Sequence, residues 1–183
     1  MALLHDATLT PTKRELLTGW LSTQPWWPGG EYVHLGAYRL DDPEGEVGME
    51  CFIVGASDGT VVHVPVTYRG APLEGAEAHL IGTTEHSVLG SRWVYDGAAD
   101  PVLVATMTAT IASGGREADQ ELESDGKREP HASSATVRGS GSGAPADGAE
   151  LVLVRLIGEE IEADETLTGQ WRDGGPAVLA GLR

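Results

Sequence analysis

Gly55-Ala56-Ser57-Asp58-Gly59 is the segment closest to a catalytic motif, the G-x-S-x-G pattern of serine hydrolases. That chemistry needs a sharp strand-to-helix turn that raises the serine into a pocket beside a histidine base. The residues that follow, Thr60-Val61-Val62-His63-Val64, are rich in valine and predict a strand. Ser-Asp-Gly between two β segments is typical of a turn. We therefore interpret residues 55–59 as a strand-turn-strand connection and predict no catalytic residue there.

Metal and cofactor chemistry is also not indicated. The six histidines show no H-x-H, H-x-x-x-H or H-E-x-x-H spacing, and Cys51 has no second thiol to pair with. Cys51 lies in an apolar run and is interpreted as a buried hydrophobic residue. The Gly-Ser run at 139–143 lacks the lysine of a phosphate-binding loop and is interpreted as a flexible turn. We predict no metal site and no cofactor.

Aromatic residues are the remaining candidates for a binding face. The chain has five tryptophans but a single phenylalanine. Aromatic rings suit a sugar-binding or partner-binding surface, and they equally suit packing in a core short of phenylalanine. The tryptophans are Trp20, Trp26, Trp27, Trp93 and Trp171.

The elements that must position these residues begin with a short helix over 11–23, where Leu16, Leu17, Trp20 and Leu21 share one face and Thr10 or Thr12 can serve as N-cap. Trp26 and Trp27 lie in the Pro and Gly break that ends it. Runs rich in Val, Tyr and Ile at 31–40, 47–54 and 60–68 predict an antiparallel meander. In the third run alternation places Val62, Val64, Val66 and Tyr68 in the core and His63 on the wetter side, and Pro65 indicates an edge or a bulge.

Asp100-Pro101 is the clearest helix start, an N-cap carboxylate followed by proline, and predicts a helix over 99–113. Residues 150–157 predict a central strand, and 166–172 with 177–182 a closing hairpin. Residues 116–149 are charged and Gly-Ser rich and predict a mobile insert, with short strands possible near 117–123 and 134–138. The expected fold class is α+β: a short N-terminal helix and a curved antiparallel sheet wrapped around one long helix, in a single domain over 1–183.

The composition limits the partners. The formal net charge is −16, from 28 acidic and 12 basic residues. Such a charge repels phosphates at long range, so we expect no nucleic-acid or membrane partner. The start of the chain lacks the pattern of a signal peptide, and no stretch is apolar enough for a membrane span. We therefore expect a cytoplasmic protein.

A family resemblance is carried by the segment from Gly82 to Gly97 (GTTEHSVLGSRWVYDG) leading into Asp100-Pro101. With the opening Leu16-Leu17-Thr18-Gly19-Trp20-Leu21 and the closing Leu167-Thr168-Gly169-Gln170-Trp171, it resembles the N-terminal cap domain of actinobacterial maltokinases and its stand-alone relatives. The resemblance covers most of the chain except 116–149. It implies a cystatin-like sheet and helix, and a link to glycan or trehalose metabolism.

The kinase activity does not carry over, because the chain contains no H-x-D-x-x-x-x-N, D-F-G or glycine-loop pattern. Arg92, Trp93 and Tyr95 match the resembling segment, and with Trp26 and Trp27 they form the predicted interface or ligand face. Arg92 is expected to pair with Asp96 or Asp100 at the start of the helix.

Two hypotheses remain open. The first is a non-catalytic interaction or regulatory module that binds a protein partner or a second copy of itself. The second is a small-ligand binder or pocket enzyme with a cavity between sheet and helix, which could take a sugar. In that case His34, His63 or Glu50 could face the ligand.

Overall fold

The computed structural model describes residues 1–124 and 126–183, and these are mostly β-structure. Strands account for 45% of the chain and helical segments for 15%. The α-helices are α1 (Lys13–Leu21) and α2 (Pro101–Ala112). The strands are β1 (Ala2–His5), β2 (Leu9–Thr10), β3 (Val33–Leu40), β4 (Gly48–Gly55), β5 (Val61–Arg69), β6 (Leu80–His86), β7 (Gly90–Asp96), β8 (Gln120–Ser124), β9 (Lys127–His131), β10 (Ala135–Gly139), β11 (Leu151–Leu153), β12 (Glu165–Trp171) and β13 (Gly174–Leu182). The predicted cystatin-like α+β fold is therefore wrong, because there is no long helix for a sheet to wrap around among the described residues.

The described strands form three sheets. The largest has the order β2-β6-β7-β5-β4-β3, the second β10-β12-β13-β11 and the third β1-β8-β9. Neighbouring strands are antiparallel except β1 and β8, which are parallel. The predicted meander is confirmed as β3, β4 and β5, and the predicted closing hairpin as β12 and β13. The run at 150–157 is not a central strand, since β11 is short and lies at a sheet edge.

Helix α2 begins where its sequence predicts and packs against both larger sheets. The Asp100 carboxylate accepts a hydrogen bond from the Val102 amide at 2.9 Å, and Pro101 occupies the first turn. Twelve residues make a helix only about 18 Å long. Its buried side chains share one core with β3 and β4 and with the strands of the second sheet: Leu103, Met107, Ile111 and Ala112. The fold prediction failed because the later strands form this second sheet over the helix instead of extending the first one.

The Gly-Ser run at 139–143 closes the C-terminal end of α2. The Gly141 amide donates to the Ile111 carbonyl at 3.0 Å, and the Gly143 amide donates to the Ala112 carbonyl at 2.9 Å. These bonds satisfy carbonyls that have no partner inside the helix. A side chain at Gly141 would collide with the backbone of Ala112, so this close approach requires glycine.

Strand β5 is buried on both faces, which corrects the placement of His63 on a wetter side. His63 is fully buried because the second sheet covers that face, and its amide donates to the Arg155 carbonyl at 2.9 Å. β5 lies between β4 and β7 and is not an edge strand. Backbone nitrogens two residues apart on a strand face the same side, so the nitrogen of Pro65 faces the same side as the amide of His63. On that side the pairing of β5 with β7 begins only at Val66. Pro65, which has no N–H to donate, therefore lies where the neighbour of β5 changes from the segment around Arg155 to β7.

The segment 116–149 contains β8, β9 and β10, near the short strands expected there. Its predicted mobility stays a prediction, and Asp125 within it lies outside the described residues. The single-domain boundary 1–183 likewise stays a prediction. Neither helix is long and apolar enough to cross a membrane, as far as the described residues go.

Candidate functional site

A cavity of about 430 Å³ lies between β1 and one end of the six-stranded sheet. Its volume is in the range of small-molecule sites. Polar and charged side chains gather along the part formed by α1 and the sheet: Lys13, Arg39, Tyr68, His86 and Arg92. Glu50 lies directly behind them. This is the candidate functional site.

Local structure fixes the position of each member of this cluster. Lys13 is the first residue of α1, which is held by a capping box between Thr12 and Glu15. Arg39 and Glu50 are cross-strand partners in β3 and β4. Side chains alternate along a strand, so the face of β4 that carries Glu50 is shared by Tyr68 of β5.

One carboxylate oxygen of Glu50 takes two hydrogen bonds and one ion-pair contact. Its Oε2 accepts from Lys13 Nζ at 2.6 Å and from Tyr68 Oη at 3.0 Å, and Arg39 Nη2 lies 3.0 Å away. Burial by itself would raise the pKa of the Glu50 carboxyl, but the charges of Arg39 and Lys13 and the hydrogen bonds outweigh it and lower the pKa. Burial, then the charge of Glu50, raises the pKa of Tyr68 well above its ordinary value. Glu50 is thus ionised and Tyr68 neutral at pH 7, a combination that suits holding charge and not transferring protons.

Arg92 and His86 form another part of the cavity wall at the β6–β7 turn. Arg92 Nη2 donates to the Leu89 carbonyl at 2.7 Å. His86 Nδ1 accepts from the amides of Val88 at 3.2 Å and Leu89 at 3.1 Å, which orders the turn. Burial first, and then the proximity of His5, Arg92 and Lys13, lower the pKa of His86. Positive charge is therefore concentrated at this end of the cavity.

The β3–β4 turn lines the cavity with acidic residues, among them Asp42 and Glu46. The two Asp42 oxygens accept from the amides of Glu44, Glu46 and Val47 at 2.8 to 3.0 Å. Asp42 therefore fixes the turn by local hydrogen bonds. The cavity is consequently polarised, with cations toward α1 and β7 and carboxylates toward this turn.

The predicted face of Trp26, Trp27, Arg92, Trp93 and Tyr95 is distributed over two sides of the six-stranded sheet. Arg92 lies on the α1 side, and alternation places Trp93 and Tyr95 on the other side of β7. Tyr95 is buried and its hydroxyl accepts from the Leu73 amide at 2.9 Å. Trp27 is buried in the core beside α1, and Trp26 is half-buried. Of the five, only Arg92 lines the cavity, and an interface role for them stays a prediction.

Asp96 and Asp100, which were expected to pair with Arg92, are bound instead by two other arginines. Sequence reasoning did not identify these pairs. Arg155 pairs with Asp96, and Arg69 places two donors on Asp100 at 2.7 Å each. The Arg155 guanidinium also lies 6.0 Å from the ring of Trp20 and 5.6 Å from that of Trp26. Arg69 and Arg155 are remote from Asp100 and Asp96 in sequence, so no local pattern could have indicated these pairs.

The other chemistry-bearing residues are inaccessible or bound into turns. Ser57 is exposed in a turn between β4 and β5, as predicted. Cys51 is fully buried, as predicted, and burial raises its pKa to about 12. His63 Nδ1 donates to the Leu179 carbonyl at 3.2 Å, so its Nε2 accepts from Tyr38 Oη at 2.9 Å. Burial, and then the charge of Arg155, lowers the pKa of His63 to about 3.

The cavity is not located between the sheet and the long helix, where the ligand-binding hypothesis expected it. That space is filled by apolar side chains, and His63 points into it without solvent access. His34 is exposed on β3. Only Glu50, among the three residues proposed to face a ligand, belongs to the charged cluster at the cavity. Within the described residues no group of three or more His, Cys, Asp or Glu side chains could hold a metal ion.

Comparison with known proteins finds a family match for part of the chain. The family model described as the maltokinase N-terminal cap domain matches residues 20–100. The match runs from the end of α1 to the N-cap of α2 and includes Glu50, Tyr68 and Arg92 of the cavity cluster. A search of curated proteins found no match. The resemblance noted in the sequence is confirmed over residues 20–100, which are similar to the maltokinase N-terminal cap domain.

Proposed function

We propose that this protein acts by binding and not by catalysis, as an interaction or regulatory module related to the cap domain of sugar kinases. Its partner would be a sugar-metabolic enzyme, in glycan or trehalose metabolism, or a second copy of the chain. The observation that carries the proposal is an exposed apolar tip on the β6–β7 hairpin, inside the region similar to the cap domain.

The tip consists of Val88 and Leu89, which are 56% and 45% exposed. They are consecutive, and the two hydrogen bonds to His86 hold their backbone in one conformation. A preordered tip loses little conformational freedom when it binds, so its apolar area contributes efficiently to an interface. The exposed apolar area of these two residues is available to a partner.

The titratable groups of the site support binding in preference to catalysis. Glu50 is held through one carboxylate oxygen by hydrogen bonds from Lys13 and Tyr68 and by an ion pair with Arg39. Cys51 and His63, the residues best suited to nucleophilic or base chemistry, are fully buried. Neither has access to a substrate.

The test compares two matched exposed valines. Val88→Asp places a charge on the tip, whereas Val33→Asp does so at a remote, equally exposed valine. If the partner is another protein, we expect the wild type and Val33→Asp to retain one protein from an extract of the host cell at near-stoichiometric yield. If the partner is a second copy of the chain, we expect both to form dimers in light scattering. In either case the binding by Val88→Asp should be at least tenfold weaker. Equal binding by all three proteins, or strictly monomeric behaviour with no protein enriched, would refute the proposal.

A further inference from the structure

The charge distribution of the cavity points to a ligand that the family match does not indicate. Three of the twelve Lys and Arg residues, Lys13, Arg39 and Arg92, line this one cavity. The carboxylates that also line it, Asp41, Asp42 and Glu46, lie on the β3–β4 turn, and part of the positive charge persists after internal pairing with Glu50. Lys13 and Arg39 share the single carboxylate of Glu50, which leaves one positive charge over.

Arg92 adds a second uncompensated charge. Its guanidinium donates to the backbone carbonyls of Leu89 and Ser91, and no ion pair includes it among the residues that the structure describes. A guanidinium has five N–H donors, so it retains donors for a further acceptor. The planar fork of an arginine matches the two oxygens of a carboxylate.

Leucine side chains provide the rest of the recognition. Leu3 and Leu4 of β1, Leu9 of β2 and Leu89 of the hairpin tip line the same cavity. The carboxylates of the β3–β4 turn disfavour a ligand with two or more negative charges. We propose that the cavity binds a small organic monocarboxylate, with its carboxylate against Arg92 and Lys13 and its apolar body beneath β1.

The binding test is independent of the docking test, because Val88 does not line this cavity. Calorimetric titration at pH 7 would compare octanoate with octanamide, which has the same body without the charge, and with inorganic phosphate. We expect saturable binding of octanoate at one site, at least tenfold weaker binding of octanamide, and no binding of phosphate.

The variants locate the site. Arg92→Met removes the charge with little change in side-chain length, and Arg138→Met, at an exposed position on β10, is its control. Arg92→Met should weaken octanoate binding about tenfold or more, the effect of losing a charged hydrogen bond, and Arg138→Met should leave it unchanged. Absence of saturable octanoate binding, equal affinity for octanamide, tighter binding of phosphate, or an unaffected Arg92→Met would overturn the proposal.

Discussion

Replacing Glu50 with glutamine removes the negative charge beneath the cavity and keeps the shape of the side chain. Arg39 and Glu50 are 13% and 11% exposed as side chains, so this pair is largely desolvated. Lys13 is 34% exposed and remains partly hydrated, which reduces its share. Removing one partner of a buried pair costs about 3 to 5 kcal/mol, and we expect about 3 kcal/mol here. For a chain of this size that corresponds to a Tm lower by about 6 to 12 °C.

The assay is urea unfolding followed by tryptophan fluorescence. Glu46→Gln is the matched control, since Glu46 lies at the same cavity and is exposed. It should change the free energy of unfolding by less than about 0.5 kcal/mol. A loss below about 1 kcal/mol for Glu50→Gln would show that the pairs with Arg39 and Lys13 are not what compensates the burial of Glu50.

The same pair makes stability depend on pH. The pKa of Glu50 in the folded protein lies below its ordinary value of 4.5, because the charges of Arg39 and Lys13 and the hydrogen bonds outweigh burial. Its contribution is therefore complete above pH 4.5 and is lost as the pH falls from there through the lower folded-state pKa. The unfolding free energy of Glu50→Gln should fall less steeply than that of the wild type over this range. Parallel curves would contradict this assignment.

Three further predictions concern other parts of the fold. Gly141→Ala should destabilise the protein by about 2 kcal/mol or more, because its Cβ would meet the backbone of Ala112, whereas Gly143→Ala, with open space around it, should be nearly neutral in urea unfolding. Asp100→Asn should cost about 3 kcal/mol in the same assay, since it leaves Arg69 without its buried partner; a loss no larger than that of Asp119→Asn, at an exposed pair, would contradict this. Cys51 should not react with a thiol reagent at pH 8 until the protein is unfolded, because burial raises its pKa to about 12; rapid modification of the native protein would show that the thiol is accessible.

Local signals predicted the elements whose causes are local. A few adjacent residues predict the Asp100 cap with Pro101, the turn at Ser57 and the meander rich in Val, Tyr and Ile, and the structure contains them. The cap-domain resemblance was identified from a contiguous segment as well. These features depend on backbone preference and on short-range hydrogen bonds.

The predictions that were wrong concern contacts between segments that are distant in the sequence. Sequence patterns do not show that β10 to β13 form a separate sheet over α2, and this error also placed His63 on a wetter side of β5. The cluster around Glu50 joins residues of α1, β3, β4 and β5 that share no sequence motif. One signal was available: Glu50 is an acidic residue within an apolar strand, and a buried charge requires partners.

Site-specific photo-crosslinking in the host cell tests most directly whether the protein acts by binding through its hairpin tip. A benzophenone amino acid would replace Val88 in one protein and Val33 in the other, since both positions are exposed valines. We predict one discrete cross-linked product from position 88, with a partner protein or a second copy of the chain, and none of that product from position 33. Recovery of uncross-linked protein alone from position 88, or of the same product from both positions, would contradict the proposed function.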